Sequence, residues 1–181
     1  GGGRLSAEIA AMPAAVTVAG PWTVEFTPGW GAPAKVSFDR LVSWTECGDP
    51  GIRYYSGTAT YSARFELPPQ LDASQPWYLD LGDVREIASV QVNGQDLGIL
   101  WRTPFRMALG AAAKPGWNEL AVQVTNLWPN RLIGDEWLPL EKRLTKTNIT
   151  KFKADSPLLP SGLLGPVTVE ARQVLKMTAD R

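Results

Sequence analysis

The sequence contains no histidine and only one cysteine, Cys47, among its 181 residues. Without histidine there is no Ser-His or Cys-His nucleophile, no imidazole general base and no imidazole ligand for a metal. A single cysteine forms no internal disulfide and no thiolate zinc site, so we expect Cys47 to be a small buried or half-buried side chain. Any chemistry of this chain must use carboxylates, hydroxyls, Lys, Arg, Tyr or Trp.

The chain also lacks net charge and long apolar runs. Lys and Arg total 18, and Asp and Glu total 18. No overall field therefore attracts nucleic acid or an anionic membrane. No apolar run approaches the roughly 20 residues that span a bilayer. The length suits one domain with a continuous core, so we expect one soluble domain with neither nucleic acid nor membrane as a partner.

Tryptophan is abundant, with eight residues in the chain. Its side chain offers a large flat apolar surface and one N–H donor, which suits stacking on the C–H face of a sugar. Composition alone leaves open whether these side chains fill the core, meet a neighbouring domain or bind a sugar.

Alternation of apolar and polar residues with period two predicts about nine strands. Short strands joined by turn signals such as Asn93-Gly94, without helices between them, favour an all-β antiparallel sandwich over a βαβ fold. The predicted strands are 22–26, 36–38, 59–67, 77–81, 88–92, 97–101, 105–109, 120–124 and 167–171. The predicted core residues are Tyr61, Phe65, Leu79, Val90, Val92, Val122 and Val124.

The pattern divides the chain into three parts. Residues 1–19 are predicted to be a linker or an expression-derived segment, 20–174 the sandwich, and 175–181 a C-terminal tail. Residues 128–166 show little strand pattern and are predicted to form one long loop. Loops of that length are uncommon in compact domains and are often functional. The basic residues between 142 and 153 are expected to face solvent or a partner.

The long loop holds most of the candidate site residues. An amide, a guanidinium and two carboxylates beside two tryptophans are the mixture that binds sugars. A structural bridge between Arg131 and a carboxylate is the alternative that the sequence leaves open. Catalysis by the two carboxylates is not expected, because adjacent residues rarely flank one bond roughly 5–9 Å apart. The candidates for contact with carbohydrate or a neighbouring domain are Trp128, Asn130, Arg131, Asp135, Glu136, Trp137 and, outside the loop, Trp101.

Four blocks of sequence carry a family resemblance: 51–65, 79–105, 116–136 and 160–169. The words VNGxxLG, GxNxLxVxV and GLLGPV resemble the galactose-binding-like jelly roll attached to glycoside hydrolases of the β-galactosidase and β-glucuronidase superfamily. The narrower stretches YYSGTATY, LGILW and TNLWPNRLIGDE are most similar to the C-terminal β-sandwich of bacterial α-L-rhamnosidases, glycoside hydrolase family 106. Members of that family carry their catalytic carboxylates on a separate (β/α)8 barrel, and nothing in this sequence resembles the barrel.

The resemblance implies a non-catalytic accessory domain that borders the active site of a separate barrel. Its partners would be a weakly bound carbohydrate and the catalytic barrel of a secreted or periplasmic parent enzyme. No cofactor is implied, and a structural Ca²⁺ is disfavoured because no loop clusters Asp and Asn residues. An autonomous carbohydrate-binding module and a structural spacer without ligand remain the alternatives.

Overall fold

A computed structural model describes residues 5–6, 12–69, 75–148, 150–173 and 178–179 of the chain. It shows an antiparallel β-sandwich with few helices, as the alternation predicted. Of the predicted N-terminal segment and C-terminal tail, positions 1–4, 7–11, 175–177 and 180–181 lie outside the described residues.

The described residues form more strands than the sequence predicted, because several are too short to show alternation. The strands are β1 (Leu5–Ser6), β2 (Val16–Thr17), β3 (Trp22–Phe26), β4 (Lys35–Phe38), β5 (Thr58–Leu67), β6 (Trp77–Asp80), β7 (Asp83–Arg85), β8 (Ile87–Val92), β9 (Gln95–Leu100), β10 (Arg106–Ala108), β11 (Gly116–Thr125), β12 (Gly162–Gly165), β13 (Thr168–Ala171) and β14 (Thr178–Ala179). The α-helices are α1 (Pro50–Arg53) and α2 (Pro129–Asp135), and 3-10 turns cover Trp44–Glu46, Gly110–Ala112 and Leu140–Lys142.

Two main sheets make the sandwich. The larger has the order β4-β3-β5-β11-β8-β9, and the smaller has the order β10-β6-β13-β2. Two short pairs, β12-β7 and β1-β14, accompany them. β5 and β11 are the longest strands, and they pair antiparallel along their full ten residues at the centre of the larger sheet. This central pair fixes the positions of every other element of that sheet.

The core lies between the two main sheets and takes alternate side chains from each strand. The burial of the seven predicted core residues is confirmed, because each is 2% exposed or less. Trp22, Trp44 and Trp77 are buried as well. Since an aromatic side chain buries about 150–250 Å², these three contribute a large share of the apolar contact. Three of the eight tryptophans are therefore core residues.

Three sequence-based expectations change. The sandwich begins before residue 20, because β2 pairs with β13 and Val18 is buried. The segment 128–166 is not one loop, since it contains α2, a 3-10 turn and β12. The strand predicted at 97–101 is β9, an edge strand whose pairing with β8 shifts register between Val90 and Gln91. Ile99 in this strand and Trp101 directly after it are both exposed.

Candidate functional site

One end of the larger sheet collects exposed apolar side chains. At this end Thr125 of β11 lies opposite Ile87 of β8 and opposite Thr58 of β5. Leu100, the last residue of β9, lies opposite Ala88 at the start of β8. The chain therefore leaves β9 and β11 at the same end of the sheet, where Trp101 and Leu127-Trp128 follow.

We call this surface the aromatic end. Its three tryptophans are among the most exposed large side chains of the protein: Trp101 is 69% exposed, Trp128 54% and Trp137 64%. The Trp30 ring packs edge-on against Trp128 with centroids 5.3 Å apart. Helix α2 begins directly after Trp128 and is only about 10 Å long, so it keeps Trp137 near this surface. Ile87 and Ile99 lie at or near the strand ends that meet there, Leu127 follows β11, and all three are exposed as well.

Helix α2 turns three of the predicted site residues inward. Asn130, Arg131 and Asp135 are all buried. The helix begins with Pro129, a residue whose fixed φ favours the first helical position. Arg131 and Asp135 are four residues apart on one helix face, and Arg131 Nε donates to Asp135 Oδ1 at 3.1 Å. This is the structural bridge that the sequence left open.

The Asp135 carboxylate has no free capacity for chemistry. It is 2% exposed. Besides the Arg131 bond, it accepts from the Leu144 N–H at 3.1 Å and from both the N–H and the hydroxyl of Thr145. All the acceptor positions of this carboxylate are therefore occupied within the domain. Glu136 has a different partner and pairs with Arg143 at 2.7 Å, so each of the two adjacent carboxylates already takes part in its own ion pair.

Asn130 holds the far end of the segment 128–166 against the helix. Its Nδ2 donates to the Leu159 carbonyl at 2.7 Å and to Ser161 Oγ at 2.8 Å. Its Oδ1 accepts from the Leu159 N–H at 2.8 Å. Asn126 Nδ2 also donates to Ser161 Oγ. These bonds satisfy buried polar groups that would otherwise cost about 1–3 kcal/mol each.

A second set of bonds joins α2 to the start of β5. The Ser56 hydroxyl donates to the Leu127 carbonyl at 2.8 Å and accepts from the Arg131 N–H at 3.1 Å. Asn126 Oδ1 accepts from the Gly57 N–H. The helix is thus anchored to the central strand pair and to β12. Trp128 directly before this helix and Trp137 two residues after it are therefore attached to an anchored segment, which is called the base below.

The predicted site residues therefore divide into two groups. Asn130, Arg131 and Asp135 are buried and have their polar atoms bonded within the domain, so they build the base and not the exposed contact surface that the sequence predicted for them. Glu136 is half-buried and paired, whereas the three predicted tryptophans are exposed. The sequence analysis did not predict helix α2, and the signal that could have revealed it is the four-residue spacing of Arg131 and Asp135 after a proline.

A pocket of about 380 Å³ lies beside α2. Its cationic lining comes from Arg143, Lys146 and Lys153, and its two acids are Asp135 and Glu136. Phe152 and several threonines complete the wall. Part of the predicted basic surface thus lines a concave site next to the aromatic end.

The nucleophilic and metal-binding capacity of the described residues is small. Burial raises the pKa of the Cys47 thiol, and the nearby charges of Glu46 and Asp49 raise it further. A thiol with a raised pKa is a poor nucleophile. Within the ranges given above, no group of three His, Cys, Asp or Glu side chains is placed to hold a metal ion. None of the helices in those ranges is long and apolar enough to cross a membrane.

Comparison with known proteins places this geometry in context. No protein-family profile matches the chain. The solved structure of a rhamnosidase from Novosphingobium sp. PP1Y superposes with a TM-score of 0.84 at 39% identity, and the match covers 91% of this chain but 16% of the rhamnosidase. The chain matches one domain of a rhamnosidase. The family resemblance predicted from the sequence motifs is confirmed by this match.

Two further relatives agree with a domain of a large enzyme. A Formosa agariphila protein named "Putative beta-glucuronidase" is 38% identical over 91% of this chain, which spans 16% of that protein. A β-glucuronidase from Ruminococcus gnavus matches with a TM-score of 0.52 at 25% identity, over 62% of this chain and 21% of that enzyme. The chain therefore spans about a sixth to a fifth of the length of these glycoside hydrolases.

Proposed function

We propose that the chain is a non-catalytic accessory domain of a larger glycoside hydrolase and that its aromatic end borders the catalytic domain. The observation that carries the proposal is the match over 91% of this chain to 16% of a rhamnosidase. The buried, fully bonded Asp135 supports the non-catalytic part, because the part of the chain that the structure describes then has no adjacent carboxylate pair facing solvent.

The composition of the aromatic end supports an interface. The central regions of protein interfaces are enriched in Trp, Tyr, Phe and Met and depleted in charge. Trp101, Trp128 and Trp137 have this character, and their buried supports keep the surface in place before it meets a partner. A preorganised surface loses less conformational entropy on association.

A second candidate function is an autonomous carbohydrate-binding module. The same exposed tryptophans favour it, since a Trp face stacks on sugar rings. The two functions differ in what the aromatic end binds. In an autonomous module it binds a glycan, whereas in an accessory domain it binds the remainder of the parent enzyme.

Two measurements test the accessory function. The 181-residue chain, incubated with aryl α-rhamnoside and aryl β-glucuronide, should release no more product than buffer. Turnover that disappears in Glu136→Gln, a partly exposed position whose substitution should leave the fold intact, would show that the domain is itself catalytic. The gene, sequenced upstream of the part that encodes these 181 residues, should encode a catalytic barrel in the same reading frame. The absence of such a barrel would contradict the proposal.

The interface is tested with the remainder of the parent enzyme produced separately. Trp137→Ser should weaken association with it by about tenfold or more, because exposed aromatic anchors carry much of the binding energy at interfaces. Trp117→Ser is the matched control, since Trp117 is about as exposed as Trp137 but lies at the end of β11 that is far from the aromatic end. Equal effects of the two substitutions would refute the assignment of the aromatic end.

A further inference from the structure

A groove runs across the outer face of the larger sheet beside Trp117. The Trp117 side chain is 61% exposed. It borders two hollows, one of about 930 Å³ and one of about 450 Å³. Both hollows are also lined by Arg64 and Glu119. The larger one extends to the residues that connect β2 and β3. The indole therefore stands between two concave surfaces.

This groove is separate from the aromatic end. Trp117 lies at the start of β11, whereas the aromatic end follows the last residue of the same strand. A ten-residue strand spans roughly 30 Å. A single sugar ring at Trp117 does not reach Trp128 or Trp137, so substitutions at the two surfaces can be compared with each other.

The turn that presents Trp117 is rigid. Its neighbour Asn118 is fully buried. Asn118 Nδ2 donates to the carbonyls of Lys114 and Gly116, and Asn118 Oδ1 accepts from the Lys114 N–H and from Asn93 Nδ2. Three hydrogen bonds of one side chain thus close the turn, and a fourth ties it to Asn93. A platform held in this way loses little conformational freedom when a ligand stacks on it.

The polar groups around the platform suit hydroxyl groups. Arg64 and Glu119 are paired residues on β5 and β11, and their side chains form an exposed ion pair at 2.8 Å. The guanidinium donates and the carboxylate accepts, so together they match the donor and acceptor capacity of neighbouring sugar hydroxyls. Ser62, also on β5, adds a hydroxyl, and Gln91 on the neighbouring β8 adds an amide.

The charge balance of the two hollows indicates an uncharged ligand. Their cations are Arg64 and Lys114, and their acids are Glu66 and Glu119. A polyanion such as nucleic acid or an acidic polysaccharide requires an excess of positive charge, which this surface lacks. Besides Trp117, the accessible apolar side chains of the larger hollow are small ones such as Val16 and Pro21, whereas the centre of a protein interface is enriched in aromatic side chains and Met. Flat aromatic surface with balanced donors and acceptors fits a saccharide.

We propose that the Trp117 groove binds a chain of uncharged sugars, with the indole as stacking platform and the Arg64–Glu119 pair as hydrogen-bonding partner for ring hydroxyls. This site is additional to the accessory function of the aromatic end. It would hold the domain, and any enzyme that carries it, on a neutral polysaccharide while the aromatic end meets the catalytic domain.

The test uses the 181-residue chain in affinity gel electrophoresis with galactomannan, xyloglucan or arabinoxylan in the gel, and polygalacturonate as the acidic probe. At least one neutral polysaccharide should retard the chain, and polygalacturonate should not. Trp117→Ala should weaken that binding by about tenfold or more. Trp137→Ala is the matched control and should bind as the unsubstituted chain does, and unchanged circular dichroism of both variants verifies the fold.

Four outcomes would overturn the proposal. In the first, no neutral polysaccharide retards the chain, and in the second, Trp117→Ala binds as well as the unsubstituted chain. In the third, only Trp137→Ala loses binding. In the fourth, the chain binds only polygalacturonate, and this binding is sensitive to salt. Arg64→Ala adds an independent measure, since it should weaken binding to the neutral polysaccharide while the exposed position leaves stability nearly unchanged. These results are independent of whether the aromatic end binds a catalytic domain.

Discussion

Replacement of Asp135 by Asn should strongly destabilise the domain. The substitution keeps the size of the side chain but removes the charge that pairs with the buried Arg131 at 3.1 Å. The new amide nitrogen also faces the Thr145 N–H and hydroxyl if its oxygen stays on Arg131 and Leu144. Removing one partner of a buried ion pair costs about 3–5 kcal/mol. A single domain has a free energy of unfolding of only about 5–15 kcal/mol.

Urea denaturation followed by tryptophan fluorescence measures this loss. The midpoint should fall while the dependence on urea stays the same, because the surface exposed on unfolding hardly changes. Glu136→Gln is the matched control in the adjacent position. Its ion pair with Arg143 is partly exposed, so its loss should cost less than about 1 kcal/mol.

The reasoning depends on Asp135 being a structural anchor. A loss below about 1 kcal/mol for Asp135→Asn, or equal losses for the two variants, would show that the bridge does not hold α2. The double variant Arg131→Met/Asp135→Asn should be more stable than the sum of the single effects predicts, because neither partner is then left charged and alone. Strict additivity would refute the pairing.

Two further predictions concern the core around Tyr61. Burial raises the pKa of Tyr61 above its usual value of about 10. Above about pH 10 the unfolded chain therefore loses the Tyr61 proton while the folded chain keeps it. The free energy of unfolding should consequently fall as the pH rises. Urea midpoints between pH 8 and about pH 11 check this, and the slope should be smaller in Tyr61→Phe. Gly162→Ala should destabilise by about 2–5 kcal/mol, since φ is +97° and the new Cβ would lie 2.5 Å from Tyr61 Oη. Gly94→Ala, with φ +78° and no atom within 4 Å, should show only the backbone cost of about 1–2 kcal/mol in thermal melts, so equal losses would refute the steric argument.

The strands and the core were predictable because their signal is local. In β5 and β11 the alternation puts every second side chain on one face, which is a property of the extended backbone itself. Tyr61 and Val122 could thus be assigned to the core from their neighbours in sequence, and both are fully buried. The family motifs likewise lie in continuous stretches of the chain.

Helix α2 was missed because its inward face is polar. Asn130, Arg131 and Asp135 give no apolar period of 3.6, which is the usual sign of an amphipathic helix. Their burial is stable only because distant groups complete their hydrogen bonds, among them Ser56 and Ser161. Pairing between residues tens of positions apart leaves no local pattern in the sequence.

The sequence by itself determined the class of fold, the resemblance to part of a rhamnosidase and the abundance of tryptophan. The tertiary structure decided where each tryptophan lies. Trp22 and Trp44 fill the core, Trp128 and Trp137 lie at the aromatic end, and Trp117 lies in a groove. The physical reason is that exposure of a side chain depends on which sheet or helix packs over it. That packing is set by strand order and register across the whole chain, whereas strand formation is set by residues two positions apart.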